Sequence, residues 1–153
     1  MSFDLSVWHS DVELSDDEAG KIHLNLCKNW PYLEGEHPSV TAFYDELTQK
    51  WPEIDTIPRE RIDDFDFCPW SCAHSHSEMA VVMCCVWSMA DKVADFVEDL
   101  ADKHGLVCFD PQAGRVILPT ELLEKKRNLI ASAGQSIPNA GLFRRLFGRQ
   151  KRP

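Results

Sequence analysis

The run from His37-Pro38 to Trp51-Pro52 constrains the fold more than any other part of the chain. Val40, Phe43, Tyr44, Leu47 and Trp51 fall at i, i+3, i+4, i+7 and i+11, which places them along one stripe of a helix. Pro38 suits the first turn, where its missing N–H costs nothing, and Pro52 cannot continue the helix. A helix with a single apolar face needs a second layer to cover it.

That layer is expected from segments whose period changes to two. Phe3, Leu5 and Val7 alternate with Asp4 and Ser6, as in a half-buried strand. Further strands are expected over about 68–76 and 79–87, then 106–109 and 115–118, the last two joined by Asp110-Pro-Gln-Ala-Gly114. Ser15-Asp-Asp-Glu18 reads as a capping box, and Ala19, Ile22, Leu26 and Trp30 follow at helical spacing up to Pro31. Ser88 opens another helix with Val93, Phe96, Val97 and Leu100 as its stripe and Gly105 at its C-terminal cap. Residues 53–66 lack a period and read as an acidic loop. The order β-α-α-β-β-α-β-β predicts an α+β fold, a mostly antiparallel sheet with helices on one face, most simply a ferredoxin-like variant. Residues 1–119 are expected to form this domain, 120–133 a short helix, and 134–153 a basic, flexible tail.

Composition fits one globular domain, with 153 residues, 44% hydrophobic and 27% charged. No basic leader precedes an apolar run, and no segment approaches the roughly 20 apolar residues of a membrane span. The six cysteines are therefore expected as thiols in the cytoplasm. The net charge of −9 is unevenly distributed. Residues 1–120 carry eight Lys and Arg against 23 Asp and Glu, while residues 121–153 carry eight against two. The first part should repel nucleic acid and attract basic partners, and the second should do the reverse.

The segments SFDLSVW, HPSVTAFYDELTQKWPEID, PWSCA, VWSMADKVADFVEDLADKHGL and VCFDPQAGRVILP together resemble a family of small, uncharacterised bacterial proteins. The resemblance covers about residues 2–119 and is strongest over 69–119. It implies the same element order and a bacterial cytosolic setting, with no established activity attached. The resemblance does not require histidines at positions 74 and 76 or the Cys84-Cys85 pair, so a metal site there would belong to this chain and not to the family.

The stretch FCPWSCAHSHSEMAVVMCC, residues 67–85, gathers four cysteines and two histidines. In a strand alternate side chains share a face, so Trp70, Cys72, His74 and His76 are expected on one side. Two hairpin registers are open: Trp70 opposite Cys85, or Cys72 opposite Cys85. In either, Cys85 shares the histidine face and Cys84 does not. Cys72, His74, His76 and Cys85 then form a Cys₂His₂ set chemically suited to zinc or copper. Cysteines also fill cores as small apolar side chains, and the spacing contains no paired knuckle.

Two charged segments remain. Glu60, Asp63, Asp64 and Asp66 lie beside Phe65 and Trp70, a mixture of carboxylates and aromatics that suits docking of a basic protein. The tail GLFRRLFGRQKRP carries Arg144, Arg145, Arg149, Lys151 and Arg152 without an acid, which suits a membrane surface or an acidic partner. Neither a nucleophile elbow nor a phosphate-cradling glycine loop occurs, and no catalytic residue is assigned. The sequence thus points to a non-catalytic binding module, of an immunity, antitoxin-like or regulatory kind, that recognises a basic protein. The alternative is a metal-binding domain or metalloenzyme on the Cys₂His₂ set.

Overall fold

A computed structural model describes residues 2–28 and 32–134. Trp30 and Pro31, expected at the end of the first helix, lie outside the described residues, as do Arg144, Arg145, Arg149, Lys151 and Arg152. The chain divides into two units, Met1–Leu123 and Glu124–Pro153.

The elements are β1 (Ser2–Trp8), α1 (Asp16–Lys28), α2 (Pro38–Lys50), β2 (Ser75–His76), β3 (Ala80–Val86), α3 (Ala90–Lys103), β4 (Val107–Asp110), β5 (Arg115–Ile117) and α4 (Thr120–Gly134). Short 3₁₀ turns occupy Ile54–Thr56, Arg59–Arg61 and Trp87–Met89. The strands form one antiparallel sheet in the order β2-β3-β1-β4-β5. The α+β class and the antiparallel sheet agree with the expectation from sequence.

Local signals act as their chemistry demands. Ser15 N–H donates to Glu18 Oε2 at 2.9 Å and Glu18 N–H to Ser15 Oγ at 3.3 Å, the reciprocal capping box that starts α1. Gly105 takes φ +67° where α3 ends, a left-handed conformation that Gly adopts without the Cβ penalty. Between β4 and β5, Asp110 Oδ1 accepts from the N–H groups of Gln112 and Ala113, closing an Asx turn that Gly114 completes at φ +60°.

The helices are not confined to one face, which corrects that part of the expectation. Phe3, Leu5, Val7, Val81, Met83, Cys85 and Cys108 face a core with Val40, Phe43 and Leu47 of α2 and Val93, Val97 and Leu100 of α3. The intervening residues Trp8, Ala80, Val82, Val107 and Phe109 are also apolar and pack with Ala19 and Leu26 of α1 on the second face. A sheet apolar on both sides needs two covers. β1 therefore sits at the centre of a three-layer arrangement.

The expected strand over 68–76 is reduced to Ser75–His76 and an isolated bridge at Trp70. Trp70 opposes Cys85, whereas Ser75 opposes Val82 and His76 opposes Val81. Both candidate registers are thus realised, at opposite ends of the hairpin. Residues 71–74 face only residues 83 and 84, so a bulge of two extra residues lies between the two registers; it leaves Trp70 and His76 on the same face and frees the residues between them from strict alternation.

Candidate functional site

The acidic loop runs from the end of α2 to Trp70 and is anchored by the part-buried Ile54, Ile57 and Phe67. Glu60, Asp63, Asp64 and Asp66 are all exposed. Arg61 donates to Asp64 at 2.7 Å, which holds that carboxyl below its usual range, and its guanidinium also lies 3.4 Å from the Phe67 ring centroid. Lys92 at the start of α3 pairs with Asp66 at 2.7 Å. Between these acids Ile62 and Phe65 stand 37% and 39% exposed. Exposed ion pairs of this kind contribute little stability, so they shape the loop more than they secure it.

Trp70 does not belong to that surface. It is 1% exposed, its ring meets Trp51 edge-on, and its Nε1–H donates to Trp51 O at 3.2 Å. The bridge to Cys85 turns it into the core on the α2 and α3 side. The exposed indole at this end of the sheet is Trp87, 53% accessible, in the 3₁₀ turn that leads into α3. The Val86 N–H to Pro69 O bond and the Lys92 to Asp66 pair tie that turn and the acidic loop together.

The bulge decides the fate of the Cys₂His₂ set. Cys85 is buried in the core. Cys72 is exposed, and its free thiol shares a hydrogen bond with that of Cys84, which faces the second side of the sheet beside Asp4. Burial, then the Asp4 carboxylate, push the Cys84 thiol upward, and burial pushes Cys85 up to about 11. Cys72 and Cys85 therefore part to opposite faces. Among the described residues no three His, Cys, Asp or Glu side chains converge to hold a metal ion.

The two histidines instead join a cluster around Glu53, which sequence spacing gave no sign of. The Tyr44 hydroxyl donates a short hydrogen bond to Glu53 Oε1. His74 Nδ1 lies 3.0 Å from the same oxygen, and His74 N–H donates to Oε2 at 3.3 Å. The His74 side chain is wholly buried, with Trp70 edge-on at 4.3 Å, and neither ring nitrogen makes a hydrogen bond, Nδ1 approaching the carboxylate without hydrogen-bond geometry. Burial drives His74 down to about 4, against the pull of Glu53 and with help from His76. His76 is exposed and stacks on Tyr44 at 4.1 Å. Glu53 thus fastens the bulged segment to α2 and to the first residues of the acidic loop.

A second polar pair lies under α1. Ser6 Oγ and His23 Nδ1 are 2.7 Å apart, both buried, and Cys27 Sγ is 3.7 Å from His23 Nε2. Burial lowers the His23 pKa and raises that of Cys27. Beside them a cavity of about 570 Å³ is lined by Asp16, Asp17, Lys21, His23 and Phe109. The signal for this pair was present in the sequence, because Ala19, His23 and Leu26 share one helical stripe and Ser6 shares a strand face with Trp8.

Among the described residues no helix is long and apolar enough to cross a membrane. Comparison with protein-family models, with curated proteins and with solved structures found no match.

Proposed function

We propose that the chain is a binding module whose acidic loop recognises a basic protein partner. One observation carries this reading: Ile62 and Phe65 stand exposed among Glu60, Asp63, Asp64 and Asp66, on a loop held in place by Glu53 and by buried anchors. Apolar side chains surrounded by carboxylates supply the two things such an interface needs, desolvated contact area and a field that steers a cationic partner. Trp87 extends the same end with an indole, a residue type enriched at binding hot spots. The excess of 23 acids over eight bases in residues 1–120 adds long-range attraction for a cation and repels nucleic acid. An inhibitor that neutralises a basic protein, as immunity and antitoxin proteins do, uses this chemistry.

The test is a paired pull-down from native lysate with the wild-type chain and the Asp63→Lys, Asp64→Lys, Asp66→Lys variant, eluted with rising salt. A basic protein retained by the first bait and lost from the second is the expected result. Retention of every captured protein by the triple variant would place the docking surface elsewhere.

A further inference from the structure

Helix α4 has a charge pattern that no part of the binding reading uses. Leu123, Leu129 and Ile130 are 41%, 70% and 64% exposed, and Leu122 and Ala133 fall on the same stripe at i, i+7 and i+11. Advancing the helix at about 100° per residue places Lys126 within this stripe and Lys125 and Arg127 along its two borders. The two acids, Glu121 and Glu124, fall on the opposite side. Two cations therefore border the apolar face, Lys126 lies within it, and the anions avoid it.

We infer that α4 lies on an anionic lipid surface as an interfacial helix, its Leu and Ile side chains in the acyl boundary and its three cations against the lipid phosphates. Lys and Arg suit such borders because their alkyl stems cover apolar surface while the charged ends reach the headgroups. The segment that follows continues the chemistry in sequence, with Leu142, Phe143, Leu146 and Phe147 interleaved with Arg144 and Arg145. Across residues 121–153 the eight bases against two acids attract an anionic leaflet. A second copy is a poorer occupant, since pairing two such stripes brings six cations to one seam and leaves the acids outside it.

The experiment is co-sedimentation of the full chain with vesicles of phosphatidylcholine alone and of phosphatidylcholine with phosphatidylserine, at low and physiological salt. Binding to the anionic vesicles, weakened by salt and absent from the neutral ones, is expected. The Leu129→Gln, Ile130→Gln variant keeps good helix formers at both positions and should bind at least about tenfold more weakly (about 1.4 kcal/mol), with circular dichroism unchanged. Lys126→Glu should weaken binding while leaving helix content intact. Unchanged binding by both variants would overturn the inference, because the tail alone would then account for it. Equal binding to neutral vesicles, or a dimer in sedimentation velocity that the Leu129 and Ile130 changes dissociate, would overturn it as well.

Discussion

His74 and Glu53 meet at 3.0 Å with the imidazole wholly enclosed, joining the bulged half of the hairpin to the loop that leaves α2. Removing the carboxylate strands two groups at once, the Tyr44 hydroxyl and the His74 backbone N–H. Glu53→Ala should therefore lower stability by about 1–3 kcal/mol, the cost of leaving buried polar groups unsatisfied. Tyr44→Phe, which removes the hydroxyl but spares the His74 contacts, should cost about 1 kcal/mol. Urea unfolding midpoints at constant m-value measure both. A midpoint for Glu53→Ala equal to wild type would show that the cluster holds nothing.

The same pair sets a pH dependence. His74 is held down to about 4 by burial, while an unfolded histidine titrates near 6.5. As pH falls from about 6.5 toward 4 the unfolded chain takes up a proton that the folded chain does not, so stability is lost across that window. The slope attributable to one such group is at most about 1.4 kcal/mol per pH unit. Unfolding free energies at several pH values should show this loss in the wild type and a shallower one in His74→Gln. Identical slopes would mean that His74 titrates normally in the folded protein.

Two aromatic residues close in sequence should behave oppositely. Trp70→Ala opens a void among Trp51, His74 and Cys85 and should cost about 3–5 kcal/mol. Phe65→Ala removes an exposed ring and should change stability by no more than about 0.5 kcal/mol, while weakening capture of any partner that the acidic loop binds. Thermal melts of the two variants, run beside the pull-down, separate folding from recognition. A Phe65→Ala chain as unstable as Trp70→Ala would remove Phe65 from the docking surface.

The Ser6 and His23 pair offers a double-mutant test. Ser6→Ala leaves a buried imidazole nitrogen without its partner and should cost about 1–3 kcal/mol. Adding His23→Leu removes the orphan and should restore part of that loss, a non-additivity expected only of groups in contact. Strict additivity would show that the 2.7 Å contact has no energetic consequence.

Helix periods were legible because their apolar residues repeat over several turns, as along Val40 to Trp51. The antiparallel sheet followed from alternation and from turn chemistry at Asp110 to Gly114. The second apolar face was harder to see, since it is built from single residues such as Trp8, Val82 and Phe109 that come together only in the sheet. The hairpin defeated simple alternation at one place. Two added residues between Trp70 and Ser75 keep Trp70 and His76 on one face, but the unpaired Cys72 between them turns to Cys84 and away from Cys85. Glu53 was invisible for another reason, because its partners Tyr44 and His74 are brought to it by tertiary packing. The acids at 60, 63, 64 and 66 are exposed while neighbouring Trp70 is buried, a difference hidden in the sequence because nothing local distinguishes a docking indole from a core one.

The place of β1 in the sheet has a consequence for how the chain is made. Residues 2–8 are synthesised well before their two neighbours in the sheet, β3, ending at Val86, and β4, ending at Asp110. Although it precedes the other four strands of the sheet, β1 is therefore among the last to be flanked on both sides. Until β4 emerges, one edge of an apolar strand stays open to pairing with other chains. Closing such distant contacts is slow relative to forming α2 or α3, so helices should appear before the sheet that they cover.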